Sequence, residues 1–150
     1  IERKLQQSDR DDLYENRINP IATFPNQGVC VWGQKTLQAQ PSALDRVNVR
    51  RLLIALKKFI ASSSRFLVFE NNTTETRQRF LNIVTPYLET VKSRQGLFAY
   101  RVIMDETNNT PAVIDRNQMV GQIFIQPAKA AEFIVLDFNV LPTGATFDNA

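Results

Sequence analysis

Val47-Asn48-Val49-Arg50-Arg51-Leu52-Leu53-Ile54-Ala55-Leu56-Lys57-Lys58-Phe59-Ile60 decides the fold class once its neighbours are read with it. Val49, Leu52, Leu53, Leu56, Phe59 and Ile60 recur at i, i+3, i+4 and i+7, which predicts one apolar stripe on a helix over about residues 45–63. Arg46, Arg50, Arg51, Lys57 and Lys58 fall off that stripe. Directly after it, Arg65-Phe66-Leu67-Val68-Phe69-Glu70 is too short for a helix and rich in strand formers, so a strand is expected there. Helix then strand makes this a mixed chain.

The pattern continues outward. Asn72 with Glu75 three residues later has the form of an N-cap and its N3 partner, predicting a second helix to about Ser93. Its apolar positions are Phe80, Leu81, Val84, Tyr87, Leu88 and Val91. Pro86 falls inside it and costs about 3 kcal/mol in a regular helix interior. A kink or break is therefore expected one turn earlier, near Arg79 to Asn82. Gly96 is expected to end the helix. Residues 97–104 and 119–126 read as strands, separated by a polar loop over 105–117.

Toward the N-terminus, Asn19-Pro20 and Pro25-Asn26 punctuate an extended loop. Gly28-Val29-Cys30-Val31-Trp32-Gly33 reads as a short buried strand, with Cys30 an inert structural thiol and Trp32 in the core. Residues 1–16 are polar and charged, and suit either a helix or a flexible lead-in. The last strand is expected over residues 133–141. Ile134, Leu136, Phe138 and Val140 alternate against Val135, Asp137 and Asn139. An unpaired edge of that kind is an aggregation hazard. This strand therefore pairs either with its own sheet or with a neighbour's, and periodicity leaves both open.

Composition narrows the chemistry. The 150 residues suit one domain and need no metal or disulfide to bury a core. Cys30 is the only cysteine, and histidine is absent. Zinc sites, Ser-His-Asp triads and Cys-His dyads are thereby excluded within this chain. No phosphate-binding glycine loop occurs, so no cofactor is expected. Asp9, Asp11 and Asp12 form the densest acidic cluster and read as solvated surface. No apolar run of 18 residues suggests a membrane span. The chain starts at Ile1 without methionine, which suggests a piece of a longer protein.

Two features remain for function. Arg50 and Lys57 are seven apart, as are Arg51 and Lys58, so each pair shares a helix face. That face is either solvated or a docking surface for an acidic partner. Nucleic acid is a third option, but interleaved aromatics are missing and the net charge is only +3. The amphipathic C-terminal strand is the other feature.

Four segments together resemble the contractile phage tail sheath family of T-even-like myoviruses. The first is Arg17-Ile18-Asn19-Pro20-Ile21 leading to Gly28-Val29-Cys30-Val31-Trp32-Gly33-Gln34-Lys35-Thr36-Leu37. The second is Val47-Asn48-Val49-Arg50-Arg51-Leu52, and the third is Phe69-Glu70-Asn71-Asn72. The fourth is Gly121-Gln122-Ile123 followed by Pro127-Ala128-Lys129-Ala130-Ala131-Glu132-Phe133-Ile134. They stand in the family's order. Gln34 and Ala130 depart from the residues many members carry there.

The resemblance implies an α/β (α+β) C-terminal core domain. It would have a small mixed sheet flanked by two main helices, with extended N- and C-terminal arms exchanged between subunits. On this reading residues 1–21 are a lead-in arm, 22–131 the core, and 132–150 the C-terminal arm strand and tail. Phe133, Ile134, Val135, Leu136, Phe138 and Val140 would form the subunit interface, with the arm rooted over 127–131. Arg50, Arg51, Lys57 and Lys58 would face the tail tube. The implied protein is structural and not an enzyme. It is a homo-oligomer layered around the tail tube, whose contraction drives the tube through the host envelope. Its implied partners are further copies, the tail tube protein, and baseplate and tail terminator proteins, with no membrane and no direct nucleic acid. It would be assembled in the host cytoplasm and reside in the virion. The competing expectation is a small α/β module that binds nucleic acid or another protein.

Overall fold

A computed structural model describes residues 3–136. In chain order the elements are helix α1 (Gln7–Glu15), strands β1 (Ile21–Phe24) and β2 (Gly28–Val31), and helix α2 (Val47–Ser63). A single 3-10 turn (Arg65–Leu67) leads into helix α3 (Thr74–Ser93), strand β3 (Leu97–Ile103), the one-turn helix α4 (Pro111–Ile114) and strand β4 (Gln122–Pro127).

The mixed α/β class holds, and the helical periodicities give the core. Leu56 of α2, Phe80, Val84 and Leu88 of α3, and Leu97 of β3 are buried together with Leu67 and Met104. Phe80, Val84 and Leu88 repeat every four residues and so share one face of α3. The rings of Phe59 and Tyr87 stack with centroids 3.7 Å apart and join the two helices. The antiparallel register places Tyr100 opposite Ile125 and Val102 opposite Ile123, and these four pack on the helices. The alternate pair, Arg101 and Phe124, faces outward.

The strands form two separate antiparallel ribbons, β1–β2 and β3–β4, and not one mixed sheet. Among the described residues neither β3 nor β4 has a second strand beside it.

Several local expectations change for stated reasons. Residues 65–70 are not a strand. Their backbone bonds fold back locally, from the Leu67 N–H to the Ser64 carbonyl and from the Glu70 N–H to the Leu67 carbonyl. Only Leu67 is buried, while Phe69 is fully exposed with φ of 72°. α3 is capped by Thr73, whose hydroxyl accepts from the Thr76 N–H at 3.3 Å. Asn72, the expected cap, spends its amide on the Gln118 carbonyl instead. α3 runs unbroken past Pro86. It ends in a Schellman arrangement, with the Gly96 N–H bonded to the Val91 carbonyl and the Gln95 N–H to the Lys92 carbonyl. The left-handed residue is Gln95 at φ 61°, one position before the expected glycine. The loop over 105–121 is organised from within by Asn109, 2% exposed, whose side chain bonds both the N–H and the carbonyl of Val120.

The β1–β2 hairpin corrects a further expectation. Its register puts Ala22 opposite Cys30 on the inner face, and Ile21 opposite Val31 and Thr23 opposite Val29 on the outer one. β2 is therefore not a buried strand. Val29 and Val31 are exposed, Cys30 is half-buried, and Trp32 is 54% exposed with its ring against Phe24.

The segment after β2 makes a close joint with the N-terminal part. The Asn19 side chain donates to the Lys35 carbonyl and accepts from its N–H, both at 2.9 Å. The Lys35 ammonium bonds the Tyr14 carbonyl at 2.8 Å. Gly33 lies between them. A Cβ there would sit 2.8 Å from Asn19 Oδ1 and 3.0 Å from the Tyr14 ring. Gly33→Ala is accordingly expected to destabilise the chain by about 1–3 kcal/mol, the range for overpacking. Urea unfolding checks it, and an unchanged midpoint would show that the joint yields.

Candidate assembly interface

The same joint carries the start of α2. Val47 donates its N–H to the Gln34 carbonyl at 2.8 Å and Thr36 donates to the Asp45 carbonyl at 3.0 Å. Arg46, with extended backbone at the N-cap, is thereby held with its guanidinium on Glu132. The pair is a fork, with Nε to Oε1 at 2.5 Å and Nη2 to Oε2 at 3.2 Å. Both side chains are largely shielded, 29% and 16% exposed, and Asp45 flanks Arg46 at 3.3 Å.

Burial alone would raise the pKa of Glu132. The Arg46 hydrogen bonds, the nearby Tyr14 hydroxyl and the Gln34 side chain more than offset that and hold it below the ordinary carboxylate value. Its carboxylate in turn holds Arg46 charged. Burial, and Glu132 beside it, push the Tyr14 phenol up. A cavity of about 400 Å³ opens next to this cluster, between Tyr14, Trp32 and Phe133.

Beyond Glu132 the chain changes character. Phe133, Ile134, Val135 and Leu136 are 83%, 82%, 91% and 71% exposed and belong to no strand of the described residues. The expected strand continues through Asp137, Phe138, Asn139, Val140 and Leu141, which lie outside the described residues. Four exposed apolar side chains, in a chain whose β3–β4 ribbon has no further strand on either edge among the described residues, are an arrangement that burial in a partner would relieve.

Arg50, Arg51, Lys57 and Lys58 are all exposed, and none forms an ion pair among the described residues. At 100° per residue they fall within about a third of the helix circumference. Ile54, 57% exposed, lies in their midst. Arg46 sets the root of the arm on the N-terminal end of α2, the helix that carries the basic face. Sequence reasoning missed Arg46, Glu132 and Tyr14. An arginine and a glutamate 86 residues apart carry no periodic signal, although Arg46 borders one of the segments quoted above and Glu132 lies within another.

A larger cleft of about 870 Å³ runs past Leu67, Phe80, Met104 and Met119, with Glu70 the one ionisable side chain among its lining residues. That lining offers packing surface and no acid–base pair.

A family model for the phage tail sheath C-terminal domain matches residues 39–141. The tail sheath protein of Enterobacteria phage T4 is 44% identical over 145 residues, covering 97% of this chain and 22% of that protein. The tail sheath protein of Vibrio phage KVP40 is 43% identical over 143 residues, covering 95% and 21%. That of Salmonella phage ViI is 41% identical over 130 residues, covering 87% and 21%. The chain thus spans about a fifth of the length of these relatives. Two solved structures share the fold. One is a chain of the anti-feeding prophage baseplate, with a TM-score of 0.81 and 25% identity over 93% of this chain and 41% of that one. The other belongs to the sheath complex of an extracellular contractile injection system in its contracted state, with a TM-score of 0.83 and 29% identity over 91% and 41%.

Proposed function

Because the chain belongs to the phage tail sheath C-terminal domain family, we propose that it is the part of a contractile sheath subunit through which identical subunits join. The observation that carries this reading is the exposed apolar run Phe133–Leu136 beyond a ribbon that has no further strand on either edge among the described residues. A strand from one subunit would extend a ribbon of the next by backbone hydrogen bonds. Its alternating side chains, with Phe138 and Val140 continuing the pattern, would set the register. An arm that leaves the body as a single strand can follow a large rigid-body motion of its owner without letting go of its neighbour.

The second element is the basic face of α2. Arg50, Arg51, Lys57 and Lys58 would meet an acidic tail tube through weak, repeated contacts. Exposed ion pairs are worth about 0–1 kcal/mol each, so a lattice gains by repetition what each contact lacks. Weak contacts also suit a sheath that must slide free of its tube. Contraction would draw on energy stored during assembly, with a barrier between two packings. The wider assembly would add baseplate and tail terminator proteins as partners. The subunit would be assembled in the host cytoplasm, and the domain would act as a structural part without catalysis.

Electron microscopy of the full-length protein tests the reading. Long, striated, hollow cylinders are the expected result. Persistently monomeric protein, or salt-dependent binding of DNA or RNA in place of polymerisation, would count against it.

A further inference from the structure

Four parts of the chain meet at one carboxylate. Glu132 receives the guanidinium of Arg46 from the start of α2, and it lines one cavity with Tyr14 of α1 and Gln34 of the segment after β2. Upstream, the chain is still part of the body, since the Ala128 N–H bonds the Gly96 carbonyl at 3.2 Å and extends the β3–β4 pairing. Lys129, Ala130 and Ala131 are exposed, and so is every described residue from Phe133 on. Glu132 is thus the last residue of the described chain that is held by its side chain.

We propose that the Arg46–Glu132 ion pair is the clamp from which the C-terminal arm departs, and that Tyr14 ties α1 to the same point. The two terminal segments are then held at one place and cannot be displaced independently. The arm's root lies at Glu132 and its free part begins at Phe133, beyond the 127–131 stretch that the resemblance implies. The chemistry suits the task. A planar guanidinium engaging both carboxylate oxygens fixes direction as well as distance, which a lysine ammonium does not. The clamp rests on the arm-exchange reading only for its consequence in the sheath, where it would fix the angle at which each arm sets out toward its neighbour. The clamp itself is a property of the unassembled chain.

Spin labels test it on the full 150-residue chain in a Cys30→Ser background, with Ala130→Cys and Ile134→Cys as the labelled positions. The label at 130 is expected to be immobilised and the label at 134 severalfold more mobile. Glu132→Gln should raise mobility at 130 to within about twofold of that at 134. Arg46→Lys, which keeps the charge and loses the fork, and Tyr14→Phe should each give a smaller rise. Exchanging the pair, Glu132→Arg with Arg46→Glu, should restore immobility at 130. Equal mobility at 130 and 134 in the parent would overturn the clamp. So would a Glu132→Gln variant that melts earlier yet keeps 130 immobile, the mark of a merely stabilising ion pair. If Glu132→Gln fails to fold, Arg46→Lys and Tyr14→Phe decide, and unchanged mobility at 130 in both would overturn it. A chain lacking residues 133–150 that still polymerised would sink the arm-exchange reading and leave these mobility results standing.

Discussion

Deleting residues 133–150 is expected to abolish polymerisation of the subunit and to leave a folded, monomeric protein. The core explains why folding should survive. Leu56, Leu67, Phe80, Val84, Leu88, Leu97 and Met104 all precede the cut, and so do Arg46 and Glu132. In the described structure Phe133–Leu136 contribute exposed surface and not core. Their loss should move the melting temperature by no more than a few degrees. Assembly is another matter. Fully burying one large apolar side chain contributes about 1.5–3 kcal/mol, so four of them offer roughly 6–12 kcal/mol gross per junction. Ordering four residues costs about 4–8 kcal/mol of backbone entropy. At the midpoints of these ranges the balance is about 3 kcal/mol favourable, before the strand's backbone hydrogen bonds and the apolar residues after it are added. Removing the arm removes all of that at every junction and leaves ribbon edges that lack their complement. Sedimentation velocity with negative-stain microscopy gives the answer. Striated cylinders from the truncated protein would refute the proposal.

The helices were legible in the sequence because their burial has a period. Val49, Leu56, Phe80, Val84 and Leu88 could be placed on inner faces from spacing alone, and all are buried. The short apolar runs were not legible in the same way. Residues 65–70 have strand composition, but a strand needs a partner for its backbone, and this run closes its bonds on itself as a turn. Val29, Val31 and Trp32 read as core because they are large and apolar, yet the hairpin turns the two valines outward. Residue type reports a tendency to be covered and does not say by what. The segments that carried the family resemblance turn out to contain the joint. Asn19, Gly33 and Lys35 interlock, and Val47 closes on Gln34. The Arg46–Glu132 pair stayed hidden because its partners are brought together by the whole fold and share no local pattern.

Reversing the charge of Arg50, Arg51, Lys57 and Lys58 to glutamate is expected to stop sheath assembly on tubes. Polymerisation without tubes should be largely preserved. The four side chains are exposed, so the substitutions should cost little stability. Arg46, which holds the arm's root, is not among them. Each exposed contact with an acidic surface is worth about 0.2–1 kcal/mol, and reversal replaces attraction with repulsion of similar size. Four such changes amount to roughly 2–8 kcal/mol per subunit, and a tenfold change in an equilibrium constant needs only about 1.4 kcal/mol. Repetition around and along the tube multiplies the penalty. The charge contribution should fall as salt rises, because the screening length shrinks from about 10 Å at 0.1 M to about 3 Å at 1 M. Ile54, exposed between the cations, separates the two parts of the contact. Ile54→Ser should weaken tube binding by a similar factor at low and high salt, whereas the charge reversal should be severe at low salt and muted at high salt. Co-sedimentation of subunits with purified tubes across a salt series measures both. Normal sheathed tubes from the reversed variant would show that another face of the domain meets the tube.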